Sequence, residues 1–186
     1  MNRRHLFAGL SGAVMLPLVI QISSHRALAQ PASPRAPTTP IGSEVYKRYT
    51  LAAGSLSKQS SQLAMQKSEN AKVKQFAGFE VAEQTAIAQV LTNQLKPGDA
   101  AFDDRQAEAL KELQGAPGAG FDKAYIKAQI DGHSELLGIQ QSFLDGKGQD
   151  TASMLSSDTA HIATLAKAVI EMHLAMLKDL NNTIRG

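Results

Sequence analysis

The 186-residue chain contains no cysteine and no tryptophan, and aromatic residues make up only 5% of it. Without cysteine there are no disulfides, no thiolate metal ligands and no lipid anchor on an N-terminal cysteine. A core must then be filled mainly by alanine, leucine, isoleucine and valine. Proline is scarce and unevenly placed: Pro31, Pro34, Pro37 and Pro40 recur every third residue, and only Pro97 and Pro117 follow. The proline-free blocks 41–96 and 118–186 are open to helix. Catalytic signatures are missing as well. There is no Gly-x-Ser-x-Gly elbow, Walker loop, dinucleotide glycine fingerprint or His-Glu-x-x-His, so nothing marks the chain as an enzyme. The glycines of Gly115-Ala116-Pro117-Gly118-Ala119-Gly120 lack the Lys-Ser/Thr ending of a phosphate cradle and read as a connecting loop.

What is present begins with a leader. Arg3 and Arg4 precede an apolar run from Leu6 to Ile22, and Ala27-Leu28-Ala29 supplies the small-x-small pattern of a cleavage site. Residues 1–29 therefore read as a secretion signal, with Gln30 as the mature N-terminus. The Asn2-Arg3-Arg4-His5-Leu6-Phe7 segment also suits twin-arginine export, so both routes stay open. Pro17, Ser11 and Gln21 interrupt the run, which argues against a retained anchor of about 20 apolar residues. No transmembrane span is expected in the mature chain.

Cleavage would remove three of the 19 Lys+Arg and none of the 17 Asp+Glu, leaving 16 against 17 and a net charge of −1. The basic precursor pI is thus no argument for nucleic-acid binding. The expected location is the periplasm or the outer membrane, with an envelope or protein partner.

Residues 30–42 read as a Pro-rich tether, since a proline every third residue matches the polyproline II turn. From 43 to 183 the apolar period is helical. Val45, Tyr49, Ala52, Leu56 and Leu63 mark a first helix from Ser43, with a break at Ser68-Glu69-Asn70. Val73, Phe76, Ala77, Ile87, Leu91 and Leu95 mark a second. Asp103-Asp104-Arg105-Gln106 reads as a cap opening a short third helix that ends by Gln114-Gly115. Ile126, Ile130, Leu137 and Leu144 define a long fourth helix, and Asp145-Gly146-Lys147-Gly148 a turn. Ile162, Leu165, Val169, Met176 and Leu180 define the last. No segment alternates with period two. The fold class is all-α, an antiparallel four-helix bundle with a short connecting helix.

Polar residues on these apolar faces are the candidate functional groups. Glu80 sits seven residues from both Val73 and Ile87, with Glu83 and Gln84 beside the next turn. His133 falls on the Ile126–Leu144 stripe and His173 on the Val169–Met176–Leu180 stripe. With antiparallel helices, Glu83 and His133 lie mid-helix and His173 is roughly 5 Å off centre, so the groups can meet at one level. Two readings follow. One is a buried histidine–carboxylate pair that fixes which helices face each other. The other is a metal site between facing helices. A di-iron centre wants Glu-x-x-His twice, but Ile130 and Ile170 precede the histidines and the first helix offers Gln59. Met172, His173 and Met176 suit copper(I), or serve as flexible core filler. Asp158-x-x-His161 has ligand spacing as well, but an aspartate at a helix start is more often a cap.

Leu63–Ala77, Phe121-Asp122-Lys123-Ala124-Tyr125 followed by His133, and His173-Leu174-Ala175-Met176 resemble three motifs of the bacterial family called domain of unknown function 4142. The resemblance spans about Ser43 to Leu180. It implies a secreted helical protein similar in architecture to ferritin-like bundles, sometimes described as outer-membrane, with no established activity. Where the family pattern shows Asp-His in the second helix, this chain has Glu83-Gln84. His133, His173 and Glu83 are the positions the resemblance carries over.

The sequence thus supports an exported helical binding or structural module rather than an enzyme. Its alternative is a copper, iron or zinc protein, or a redox bundle, with His133, His173, Glu83, Glu80 and Met176 as the candidate ligands.

Overall fold

The computed structural model describes residues 36–92, 103–146 and 154–184. Among them are five helices and no strand: α1 Ser43–Lys67, α2 Ala71–Thr92, α3 Asp104–Gly115, α4 Gly118–Gly146 and α5 Met154–Thr183. The chain is all-α, as the periodicity requires. The leader, residues 30–35, Leu95 and Lys147-Gly148 lie outside the described residues.

Local chemistry sets the helix ends. The Ser68 amide donates to Ala64 O at 3.0 Å and closes α1. Asn70 Oδ1 accepts from the Lys72 and Val73 amides at 2.9 and 3.4 Å and opens α2. Asp103 forms a reciprocal capping box with Gln106, whose amide donates to the Asp103 carboxylate at 2.8 Å. Such a box satisfies two donors that a helix start otherwise leaves bare. Pro117 O accepts from the Gly120 and Phe121 amides, so Gly118–Gly120, expected as loop, forms the first turn of α4. At its other end α4 runs through Gly146, past the start of the expected turn.

α1 packs along both α2 and α4, α4 packs along α5, and α3 lies against α1 and α4. Tyr46 meets Gln140, Ser57 meets Gln129 and Ser61 meets Tyr125. As one index rises the other falls equally, so α1 and α4 are antiparallel. The contact of Ser57 with Glu80, and the approach of Gly54 to Gln84, show the same for α1 and α2. A Cβ at Gly54 would run into the Gln84 amide oxygen. Glycine leaves room there for the end of the Gln84 side chain.

The buried faces of α1 and α5 differ from the expected stripes by about one position. α1 buries Tyr46, Thr50, Ala53, Ser57, Ser60, Ser61 and Ala64, while Tyr49 is exposed. α5 buries Ala163, Ala166, Ile170, His173, Leu177 and Leu180, and leaves Leu165, Met172 and Met176 exposed. The faces are set by the rotation of each helix against its neighbours, which buries Ser57, Ser60, Ser61 and Ala64 of α1 and Ala163 and Ala166 of α5 together with Tyr46, Ile170 and Leu177.

Two apolar clusters fill the interior. One joins Tyr46 and Leu51 to Leu136, Ile139, Phe143 and Ile170. The other joins Ala64, Val73 and Phe76 to Phe121, Tyr125, Ile126 and Leu177. Of the segment read as a tether, residues 36–42 run along α4. The Ile41 amide donates to Ser142 O at 3.2 Å, and the Ser142 hydroxyl donates to Pro37 O. Gly138 faces Ala36 and Gly146 faces Pro40, where a Cβ would crowd the strap. Among the described residues, Asp158–Thr183 is long and apolar enough to cross a membrane by length and composition. Only 28% of its most apolar window is buried.

Candidate metal centre

Between the two apolar clusters lies a polar layer contributed by α1, α2, α4 and α5. Glu80 on α2, His133 on α4 and His173 on α5 converge there, and at most 3% of each is exposed. Glu80 Oε1 is 3.0 Å from His133 Nε2 and 2.7 Å from His173 Nδ1. The two nitrogens are 3.3 Å apart. Three atoms that can each carry a lone pair thus face one point inside the protein.

The surrounding hydrogen bonds fix their orientation. His133 Nδ1 donates to the Gln129 carbonyl one turn earlier, at 2.8 Å. Its Nε2 is therefore the atom turned to the cluster. The other Glu80 oxygen accepts from the Ser57 hydroxyl. The Gln129 side chain lies against the serines of α1: its Oε1 is 2.8 Å from Ser57 Oγ, and its Nε2 donates to Ser60 Oγ at 2.8 Å. Ser61 and Tyr125 extend the layer at 2.8 Å. On the side of the second apolar cluster, the Phe76 ring stands 5.3 Å from the His173 ring and 6.1 Å from that of His133.

Electrostatics follow from this packing. Desolvation pushes the Glu80 carboxyl up. Hydrogen bonds from both histidines, the His133 charge and the Ser57 hydroxyl outweigh it and hold Glu80 well below the usual carboxylate range. For His173, burial lowers the pKa, but Glu80 and then Glu83 raise it more. Glu83 is pushed up by burial and by the Glu80 charge, against the pull of the two histidines. A buried carboxylate facing two imidazoles needs a positive centre. Protons on the rings supply one, and a metal ion would supply the same charge.

Of the residues singled out from the sequence, the structure brings Glu80, His133 and His173 together. Glu83 stands at the rim, with Oε2 at 3.5 Å from His173 Nδ1 and its side chain 19% exposed. Met176 lies apart, partly exposed beside Phe79 in a surface groove between α2 and α5. Met172 is exposed, as are Gln59, Asp158 and His161. Sequence reasoning missed Ser57 and Gln129, and it named Tyr125 only as part of a family motif, without a role in this layer. Signals for both existed: Gln129 precedes His133 by one helical turn, and Ser57, Ser60, Ser61, Ala64 and Ser68 form a small-residue stripe at helical spacing.

The family model of domain of unknown function 4142 (DUF4142) matches residues 29–180. The chain belongs to this family. No curated protein and no solved structure matches it.

Proposed function

We propose that the protein is an exported, ferritin-like four-helix bundle that binds one divalent transition-metal ion, zinc or iron(II), through Glu80, His133 and His173. The observation that carries this is the convergence of Glu80 Oε1, His133 Nε2 and His173 Nδ1, 2.7–3.3 Å apart in the interior. Donors at roughly 2.0–2.1 Å around a tetrahedral ion stand about 3.3 Å from one another, close to these separations. Two imidazoles with one carboxylate are a donor set that zinc and iron(II) accept while keeping positions open. The pinned Nδ1 of His133 and the hydroxyl on Glu80 are the outer hydrogen bonds that orient such ligands. Copper(I) is disfavoured because the thioethers of Met172 and Met176 stand at the surface. The leader read from residues 1–29 supports export to the periplasm or outer membrane.

In this role Glu80, His133 and His173 hold the ion, and Ser57 and Gln129 keep the ligands aimed. A bound ion of this kind supplies Lewis acidity. The reading is tested by elemental analysis of protein matured in the periplasm, and by titrating metal-free protein with zinc and iron(II). We expect stoichiometric binding that weakens as pH falls, because the imidazoles must lose protons to bind. His133→Ala and His173→Ala should each weaken it by about 100-fold or more. A metal-free protein whose melting is unchanged by either ion would leave the cluster as a hydrogen-bonded helix lock.

A further inference from the structure

The buried trio needs a way in, and the packing leaves one. Ser57 and Gln129 close the α1 and α4 side, and the Phe76 ring closes the side of the second apolar cluster. α2 and α5 approach each other far less closely than α1 approaches α2 or α4 approaches α5. An open groove of about 230 Å³ runs along this seam, lined by Ala86, Val90, Ile162, Leu165 and Val169, with Glu83 as its one ionisable residue. Of the four ionisable groups around the cluster, Glu83 is the one that solvent reaches: its side chain is 19% exposed, whereas those of Glu80, His133 and His173 are at most 4% exposed. Its carboxylate stands 3.5 Å from His173 Nδ1.

From this arrangement we infer that Glu83 is the relay through which a divalent cation reaches and leaves the buried trio, along the α2–α5 seam. The inference rests on the metal reading above. A lone carboxylate in an otherwise uncharged groove concentrates cations at that point. It can hold an ion that keeps most of its water while His173 Nδ1 turns toward it. Passing the ion from Glu83 to Glu80, one helical turn away on α2, then removes the remaining water stepwise rather than at once. A relay lowers the barrier in both directions and leaves the end states alone. Glu83 should therefore govern the rates and not the equilibrium.

The test is stopped-flow loading and chelator-driven release of zinc on the full mature chain, monitored with a zinc dye. For Glu83→Gln we expect loading and release to slow together by about tenfold, with Kd held within about threefold. Ala86→Phe, which adds bulk at an exposed groove position, should slow both rates in the same way. Glu171→Gln removes an exposed α5 acid paired with Lys167 outside the groove, and should change neither rate. Faster release with unchanged loading would make Glu83 a permanent ligand and overturn the relay. Unchanged rates in Glu83→Gln would overturn it too, while leaving the metal site intact. Failure of the wild-type chain to bind zinc at all would remove the relay together with the metal reading.

Discussion

Gly54 and Gly78 sit on adjacent helices, yet only one of them touches a neighbour. A Cβ at Gly54 would collide with the Gln84 amide, whereas one at Gly78 meets nothing within 4 Å. Helix propensity favours alanine at both by about 1 kcal/mol. At Gly78 nothing opposes this gain, so Gly78→Ala should raise stability by up to about 1 kcal/mol. At Gly54 the added methyl would meet only the end of the Gln84 side chain, which must rotate away, so Gly54→Ala should gain less than Gly78→Ala. Chemical denaturation of the two variants checks the pair. A Gly54→Ala variant that gains as much as Gly78→Ala would mean that the Gln84 side chain does not rest against α1 as described. The same scale shows how far sequence alone reaches into the site. Glu80 and His133 were legible because each interrupts an apolar stripe. Ser57 is harder to read: the small-residue stripe it belongs to marks a close helix contact, but not that its hydroxyl faces Glu80.

At the scale of the element, caps were the easiest feature to read and helix faces the hardest. The α3 cap was visible in Asp103 and Gln106 because both members of the box are local in sequence. Asp103 shows the thermodynamic consequence. Burial would raise its carboxyl, but the Gln106 amide and Arg105 hold it below the ordinary aspartate value. A group depressed in the folded state stabilises above its unfolded pKa and loses that effect as pH falls through the folded one. Asp103→Ala should therefore cost about 1 kcal/mol at neutral pH. The gap from wild type should shrink below about pH 3.9. Melting curves of the two proteins across pH 2–7 measure it, and a pH-independent gap would contradict the ionised cap. The helix faces of α1 and α5 were misjudged for a different reason. Burial there runs through Ser60, Ala64, Ala163 and Ala166 as well as Tyr46, Ile170 and Leu177, a face that becomes visible only once a neighbouring helix is in place.

At the scale of the molecule, a polar layer divides one interior into two apolar clusters. Burying a carboxylate costs several kcal/mol before its partners repay it. Replacing the trio with aliphatic residues would also hold the helices together, so the layer serves either to fix which helices face each other or to bind an ion. That the second, fourth and fifth helices could meet at this level was foreseeable from helix lengths and antiparallel order, while the share of α1 was not. That Met176 turns outward was not, since it depends on the rotation of α5. The most direct test is anomalous diffraction at the zinc edge from zinc-loaded crystals of the mature chain. We expect a single strong peak within bonding distance of Glu80 Oε1, His133 Nε2 and His173 Nδ1. No peak there, or one held only by surface residues, would contradict a metal centre in the core.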